Sequence, residues 1–244
     1  MNAGTVHVWV IDLDSERESL ASMLELLSGE ERIRAARLHT TELRVRFVVA
    51  HGALRTILSR YLAVPAAAVR LETMASGKPL VCGGAVSFNL SHCEGLALVA
   101  VSPGTAVGVD LERIRTLADA DAIVARFFSA NEGRDYAALG PGDRPRAFFS
   151  IWTRKEAFVK GTGEGLGRAL KSFDVDVDPG LAAPRVSSLS PDVDAAHWRL
   201  RSFTPRPGYI AALAVHAEIT SLDFFEWTAA SGDMPLPFSG PEPA

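Results

Sequence analysis

Apolar residues recur along this chain with two different periods. Over residues 6–13 they alternate with polar residues, which predicts a strand whose two faces differ. Over residues 41–61 they fall three or four positions apart, which is the spacing of one buried helical stripe. Residues 144–160 follow the same helical spacing. Two long helices together with a strand indicate an α+β protein.

Local signals add shorter elements. Ser28 with Glu31, and Ser129 with Glu132, form capping boxes in which the serine caps a helix and the glutamate reaches back to it. A short amphipathic helix is predicted over residues 15–27. Further strands are predicted over residues 86–90, 96–101, 106–111, 173–177 and 209–215. We place a bend at Ser91-His92, between the first two of these strands.

The order of elements suggests an internal duplication. VWVIDLDSER near the start resembles VGVDLERIR in the middle, and GLALVAV (95–101) resembles YIAALAV (209–215). These patterns predict a pseudo-twofold pair of similar α/β halves, residues 1–104 and 105–222, with a site in the cleft between them. Two unrelated α+β units could share such patterns by chance. Residues 223–244, rich in Gly, Pro, Ser and Ala, are predicted to form a flexible tail.

Composition limits the possible partners and compartments. The net charge of −4 and pI near 5.9 give no overall basic field, so we expect no binding to nucleic acid. Cys82 and Cys93 lack a CxxC spacing, so their pattern indicates neither a disulfide framework nor a structural zinc site. No charge-free apolar run reaches about 18 residues, and the N-terminus does not resemble a signal peptide. We therefore expect a cytoplasmic protein that does not contact a membrane.

Acidic residues on one strand and one helix are the first candidates for chemistry. Asp110 and Glu112 are two positions apart on a predicted strand and so share a face. Glu156 continues a helical stripe that also holds Trp152 and Lys160. A buried carboxylate needs a partner, so Glu156 should pair with Lys160 or share a cation with the strand acids. The alternatives are a solvated strand end and an exposed Glu156–Lys160 ion pair.

The ligand type indicates which cation such a site would hold. Three carboxylates without histidine or cysteine suit Mg²⁺, which usually bridges to substrate phosphates. Candidate phosphate-binding residues are Lys78, Arg46, Lys155 and the pair Ser91-His92, each of which could also be an ordinary surface or turn residue. The sequence thus indicates phosphoryl or pyrophosphate chemistry.

Several short strings resemble the motifs of one enzyme family. GVDLE (108–112) and WTRKEAFVK (152–160) resemble the two signatures of the 4′-phosphopantetheinyl transferases. SGKPL (76–80), FNLSH (88–92) and RFFSANE (126–132) resemble further blocks, in the same order and at similar spacing. The length and paired halves resemble the Sfp-type (surfactin-synthetase-activating) branch, which folds as a pseudo-dimer.

The resemblance implies roles for individual residues. Asp110, Glu112 and Glu156 would hold Mg²⁺, or Mn²⁺ in its place, against the pyrophosphate of coenzyme A. Glu156 and Lys160 would be catalytic, as base and as charge-neutralising or proton-donating group. The residues implied to bind coenzyme A are Lys78, Ser91, His92, Lys155 and, at the 3′-phosphate, Arg46. Glu31 replaces a lysine that some relatives carry, and Arg34 or Arg37 could substitute. For Glu132 we favour the capping role.

The implied reaction uses a carrier protein as acceptor. A serine hydroxyl of an apo acyl or peptidyl carrier protein would attack the β-phosphate of coenzyme A and release adenosine 3′,5′-bisphosphate. Relatives dock their carrier near residues 116–128, where Arg113, Arg115 and Arg126 could attract an acidic partner. We expect a monomer.

Two other interpretations compete with this one. The strand running into Asp12 and Asp14 resembles the nucleophile motif of haloacid-dehalogenase-like phosphatases, which would require a doubly wound parallel sheet. A carrier-protein-binding module without catalysis is the other, and the joint presence of Asp110, Glu112, Glu156 and Lys160 argues against it.

Overall fold

The computed structural model describes residues 4–15, 19–164 and 170–229, and within them helices and strands are mixed along the chain. The helices are α1 (Leu20–Leu26), α2 (Gly29–Ala36), α3 (Thr41–Leu62), α4 (Ala120–Phe127), α5 (Ala130–Ala137) and α6 (Arg144–Thr162). The strands of the first half are β1 (Thr5–Asp12), β2 (Leu71–Thr73), β3 (Pro79–Val81), β4 (Ser87–Cys93) and β5 (Leu96–Ser102). The later strands are β6 (Val107–Arg113), β7 (Phe173–Val175), β8 (Val186–Ser188), β9 (Arg199–Phe203), β10 (Tyr209–Val215) and β11 (Ser221–Trp227).

Two sheets repeat one strand order. The first runs β11-β1-β5-β4 and the second β6-β10-β9. Strand β5 lies antiparallel between β1 and β4, and β10 lies antiparallel between β6 and β9. The long helices α3 and α6 follow the first strand of their respective sheets. The predicted α+β class with two similar halves is therefore confirmed.

Three apolar clusters hold these layers together. Helix α3 packs on one face of the first sheet, around Trp9, Val99 and Leu58. Helix α6 packs on one face of the second sheet, around Phe158 and Ala212. The remaining faces of both sheets meet in a shared core. Its members include Val8, Leu98, Val109, Leu213 and Phe224. Burial of this shared face joins the halves, since apolar burial is the main stabilising contribution to folding.

Helix starts follow the predicted capping signals. Ser28 accepts a hydrogen bond from the Glu31 backbone N–H, and the Glu31 carboxylate accepts one from the Ser28 N–H. Ser129 and Glu132 form the same reciprocal pair at α5. Both capping boxes are confirmed, and each satisfies two backbone N–H groups that the first helical turn leaves unpaired.

Two sequence-based expectations are wrong. Ser91 and His92 lie inside β4, and the chain turns instead at Glu94-Gly95, where Glu94 has a φ of 51°. The predicted tail begins inside β11, which pairs in parallel with β1 from Thr5↔Ser221 to Ile11↔Trp227. Phe225 stacks on Trp9, with ring centroids 4.7 Å apart, so apolar contacts fix this strand. The rest of the predicted tail, residues 230–244, lies outside the described residues, as do 16–18 of the predicted first helix and 165–169 of the glycine-rich segment.

None of the helices in the described ranges has the length and apolar character required to cross a bilayer.

Candidate active site

The candidate site forms where α6 lies directly on β6. A side chain at Gly108 would not fit, because a Cβ atom there would lie 2.1 Å from the Ala157 carbonyl oxygen and 2.3 Å from the Gly161 nitrogen. Along β6, Val109 and Leu111 point into the shared core, so the alternating positions Gly108, Asp110 and Glu112 share the other face. The contact at Gly108 therefore sets the distance between the strand acids and the helix.

Asp110 is the most buried acid of the site, with 5% of its surface exposed. Its Oδ1 accepts hydrogen bonds from Lys160 Nζ at 2.5 Å and from Ser91 Oγ at 3.0 Å. Its Oδ2 is buried and accepts no hydrogen bond from the described residues. Burial raises the pKa of Asp110, and the Lys160 ammonium opposes that rise. A buried carboxylate oxygen without a partner is costly, and so it is a candidate metal ligand. The alternative of a solvated strand end is wrong for this residue.

Two further carboxylates lie within electrostatic range of Asp110. Burial and then the Asp110 charge raise the pKa of Glu112. Burial and then Asp110 also raise the pKa of Glu156, with Glu112 adding to the rise and Lys160 opposing it. Three carboxylates that repel one another are a typical environment for a divalent cation. All the donor atoms are oxygens, which matches the preference of Mg²⁺.

Lys160 links the helix to both strands. Besides Asp110, its ammonium donates a hydrogen bond to Ser91 Oγ at 3.1 Å. Lys160 thus pairs with the strand acid rather than forming an isolated ion pair with Glu156. An ammonium has three N–H donors, so one remains for a ligand. The structure brings together Asp110, Glu112, Glu156 and Lys160, and Ser91 lies beside them.

Lys78 lies beside this cluster. Its ammonium donates to the carbonyl oxygens of Val107 at 3.1 Å and Gly161 at 2.9 Å, across the β6–α6 contact. Burial lowers the pKa of Lys78 to about 8. Lys78 also lines a cavity of about 330 Å³ together with Asn89, Glu156 and Lys160. Its third N–H donor can therefore reach a ligand in the same cavity as the catalytic candidates.

Lys155 is placed elsewhere, and the prediction that it binds coenzyme A is wrong. The side chain is 0% exposed and forms an ion pair with Glu132 Oε1 at 2.8 Å. The same ammonium donates to the carbonyl oxygens of Leu170 and Phe173, which occupies its three donors. Lys155 adjoins Glu156 in sequence, but neighbouring residues on a helix point about 100° apart. Lys155 therefore stabilises the packing of α5 and β7 on α6.

Arg46 and His92 line a second cavity, of about 510 Å³, with a basic wall. The other cationic groups there are Arg34, Arg37 and, when protonated, His51. Arg46 forms a bidentate pair with Asp14, at 3.0 and 2.8 Å, and also contacts Glu42 at 2.7 Å. Those two acids raise the pKa of Arg46, the Asp14 hydrogen bonds most. Because Arg46 is already paired, the exposed Arg34 and Arg37 are the more accessible charges of this wall.

The cavities form a run along β4. A third cavity, of about 740 Å³, shares Leu90 with the basic cavity and Asn89 with the Lys78 cavity. Successive side chains of β4 thus line a groove that leads from the Arg34 cation, past the His92 imidazole, to the Glu156 carboxylate. A long ligand with phosphate groups at one end and in its middle fits this arrangement of charge.

A family model described as the 4′-phosphopantetheinyl transferase superfamily matches residues 106–214. The 4′-phosphopantetheinyl transferase HetI of Nostoc sp. is 34% identical over 214 residues, covering 86% of this chain and 87% of the relative. The chain belongs to this superfamily. The transferase psf-1 of Bacillus pumilus is 33% identical over 175 residues, an alignment that covers 71% of this chain and 73% of psf-1. The transferase Sfp of Bacillus subtilis is 26% identical, and the alignment covers 85% of this chain and 91% of Sfp.

Family membership and the fold together exclude the phosphatase interpretation. The transferase has antiparallel pairing throughout the second sheet and between β1, β5 and β4, not a doubly wound parallel sheet. Asp12 accepts hydrogen bonds from the backbone N–H groups of Asp14 and Ser15, and Asp14 pairs with Arg46. These two acids stabilise the end of β1 and its contact with α3.

Sequence reasoning missed two residues that contact the candidate site. Asn89 Oδ1 accepts a hydrogen bond from the Val109 backbone N–H at 2.8 Å and so ties β4 to β6. Cys93 Sγ lies 3.7 Å from Glu112 Oε2 and donates a weak hydrogen bond to it. Asn89 stands inside the motif FNLSH, which was a usable signal. Cys93 had none, because its partner lies 19 positions away on another strand.

Proposed function

We propose that this transferase moves the 4′-phosphopantetheine arm of coenzyme A to a serine of an apo acyl or peptidyl carrier protein, with Mg²⁺ held by Asp110, Glu112 and Glu156. The function follows most directly from one observation. Three mutually repelling carboxylates and one ammonium converge where two pseudo-symmetric halves meet, in a groove that also carries basic side chains.

The donor atoms suit the proposed cation. The buried Asp110 Oδ2 has no hydrogen-bond donor among the described residues, and both glutamates have raised pKa values. An oxygen-ligated cation would supply a partner for Asp110 Oδ2. It would also relieve the repulsion between carboxylates that contributes to the raised pKa values of Glu112 and Glu156. When bound, Mg²⁺ would neutralise charge on the pyrophosphate and align its oxygens.

Glu156 is the proposed base. Its raised pKa makes its carboxylate a stronger proton acceptor than an exposed glutamate, and the side chain lines the open cavity of about 330 Å³. It would take the proton of the carrier serine directly or through a water. The serine oxygen then forms a bond to the β-phosphorus, while the bond from that phosphorus to the bridging oxygen breaks. Adenosine 3′,5′-bisphosphate leaves with the electron pair.

Lys160 is the proposed group for the departing phosphate. Its ammonium holds Ser91 and Asp110 and retains one N–H donor, so it can neutralise or protonate the leaving oxygen. Lys78 has a free donor in the same cavity and would contact the pyrophosphate or the pantetheine arm. Both lysines bridge separate elements, which keeps their ammonium groups in place before the substrate arrives.

The nucleotide end would lie in the basic cavity. His92 and Arg46 line it, as the resemblance implied, and Arg34 and Arg37 add exposed charges toward a 3′-phosphate. Arg46 would first have to exchange Asp14 or Glu42 for phosphate. For the carrier, residues 116–128 remain the proposed docking segment. They adjoin a cleft of about 170 Å³ whose wall includes Arg115, itself paired with Glu112. Because one chain supplies every proposed site residue, we propose a monomer.

Intact-mass analysis of carrier proteins tests this function. Apo acyl and apo peptidyl carriers are incubated with the enzyme, coenzyme A and Mg²⁺, with and without EDTA. We expect a mass gain of one phosphopantetheine group that EDTA abolishes. If no carrier gains mass while the protein is folded and binds coenzyme A, the chain is a binding module that has lost catalysis.

A further inference from the structure

A group of three side chains with metal-ligating atoms lies on the surface of the C-terminal half. Asp194, His197 and His216 each offer a ligand atom, and these atoms all lie within 4.8 Å of one another. Asp194 Oδ2 is 3.3 Å from His197 Nδ1 and 3.9 Å from His216 Nε2. None of the three lines the cavities around Glu156 or His92, so the group is separate from the proposed active site.

The backbone that presents these ligands is already ordered by hydrogen bonds. Asp194 uses its other oxygen, Oδ1, to accept from the Ala196 N–H, and the Trp198 N–H donates to the Ala195 carbonyl. These bonds fold residues 194–198 into a tight turn that carries both Asp194 and His197. His216 directly follows β10, and its N–H donates to the Ala106 carbonyl at 3.0 Å. Asp194 Oδ2 remains directed at the two imidazoles.

Aromatic contacts restrict the imidazole rings. The His216 ring lies against the buried Trp198 indole, with ring centroids 5.1 Å apart. The His197 ring contacts the His216 ring edge to face, with centroids 5.7 Å apart. Trp198 is itself packed against Phe158 of α6. A ligand atom on a restricted ring loses less conformational freedom when it binds a metal.

The ligand set and the spacing favour zinc. Zinc bonds of about 2.0–2.1 Å at tetrahedral angles place ligand atoms roughly 3.3–3.5 Å apart. The observed 3.3 and 3.9 Å are close to that spacing without any change of backbone. Two imidazole nitrogens and a carboxylate suit zinc and related transition metals, whereas Mg²⁺ prefers an all-oxygen set. All three residues are exposed, so water can occupy a fourth position.

We propose that Asp194, His197 and His216 form a Zn²⁺ site that fastens the turn at residues 194–198 to the end of β10. This site differs in chemistry from the carboxylate centre at Asp110. The cysteine pattern gave no indication of zinc, because the proposed ligands include no cysteine and come from segments that only the fold brings together.

Zinc binding to the untagged full chain tests the proposal. Zn²⁺ is titrated in competition with a chromophoric chelator, in the presence of millimolar Mg²⁺, for the wild type, His197→Ala and His216→Ala. The control is His39→Ala, which removes an exposed histidine outside the group. We expect each of the two ligand variants to bind one Zn²⁺ fewer, or to bind it more than about tenfold more weakly, while the control matches the wild type. Zinc bound at the carboxylate centre contributes equally in all four proteins, because none of the substitutions changes that centre.

A second measurement identifies the ligands. Co²⁺ bound by nitrogen in a four-coordinate site absorbs visible light more strongly than octahedral Co²⁺ bound by oxygen alone. We expect that absorption in the wild type and the control, and its loss in His216→Ala. Equal zinc affinity in all four proteins, or displacement of the zinc by Mg²⁺, would overturn the proposal. Unchanged circular dichroism of the variants verifies that the exposed substitutions leave the fold intact.

Discussion

Lys160 Nζ lies 2.5 Å from Asp110 Oδ1, and this contact joins the helix signature of the transferase to its strand signature. The partners are 50 positions apart, and the carboxylate is buried whereas the lysine side chain is 30% exposed. In the absence of a divalent cation, Lys160 is the group that compensates the Asp110 charge. The stability of the metal-free protein should therefore depend on Lys160.

Replacing Lys160 should make folding more dependent on magnesium. Lys160→Met leaves the Asp110 carboxylate with Ser91 as its remaining side-chain hydrogen-bond donor, so we expect the metal-free protein to lose about 1–3 kcal/mol of unfolding free energy. Mg²⁺ should restore more stability to the variant than it adds to the wild type, because it replaces the missing positive charge. Urea titrations with Mg²⁺ and with EDTA measure both effects. Equal magnesium effects in the two proteins would argue against cation binding at Asp110.

Gly108 should tolerate no side chain. In Gly108→Ala the new methyl group would collide with backbone atoms of α6, so the helix must move away from β6. We expect a loss of about 3 kcal/mol and of most transferase activity, since Glu156 moves relative to Asp110. Gly29→Ala is the matched control, because a Cβ atom at Gly29 meets nothing within 4 Å. Chemical unfolding of both variants decides the matter, and comparable stabilities would refute the role of this contact.

The ion pair of Lys155 and Glu132 should be structural. Lys155→Met leaves a buried carboxylate without its cation, which costs about 3–5 kcal/mol. Lys155→Met/Glu132→Gln should recover part of that loss, because the uncompensated charge is removed. At a temperature where the double variant stays folded, its KM for coenzyme A should match that of the wild type. A large rise in KM without loss of stability would restore Lys155 as a substrate contact.

Lys78 gives a pH dependence with a defined sign. Burial lowers its pKa to about 8 from an ordinary value of 10.5, so between these values the unfolded chain binds more protons than the folded one. The Lys78 contribution to stability therefore rises with pH across that window and is least favourable below pH 8. Relative to Lys78→Met, the wild type should gain on the order of 1–3 kcal/mol between pH 7 and 10. Urea unfolding at several pH values tests this, and parallel profiles of the two proteins would contradict it.

Local periodicity was sufficient to predict the acidic face of the site. The period of two put Asp110 and Glu112 on one side of β6, and the helical period put Glu156 and Lys160 on one side of α6. The same rules could not assign Lys155, because a helix stripe does not reveal which flanking residue points into the core. Its burial depends on Glu132, which lies 23 positions earlier in the chain.

Contacts between distant segments account for the other errors. Strand β11 pairs with β1 at the opposite end of the sequence, so the nearby glycines and prolines gave a misleading signal. The phosphate contact of Arg46 stays a prediction, and the sequence did not indicate that Arg46 also pairs with Asp14, which lies 32 positions away. Three-dimensional pairing of this kind leaves no periodic pattern in the sequence.

The most direct test of the carboxylate centre is the binding of Mn²⁺, the alternative metal, in the presence of coenzyme A, followed by the electron paramagnetic resonance signal of free Mn²⁺. Wild type, Asp110→Asn and Asp135→Asn are compared, the last removing an exposed acid on α5 outside the site. We predict that the wild type and Asp135→Asn hold one Mn²⁺ per chain, and that Asp110→Asn binds it more than about tenfold more weakly. Equal Mn²⁺ binding by all three proteins would contradict the assignment of Asp110, and with it the proposed active site.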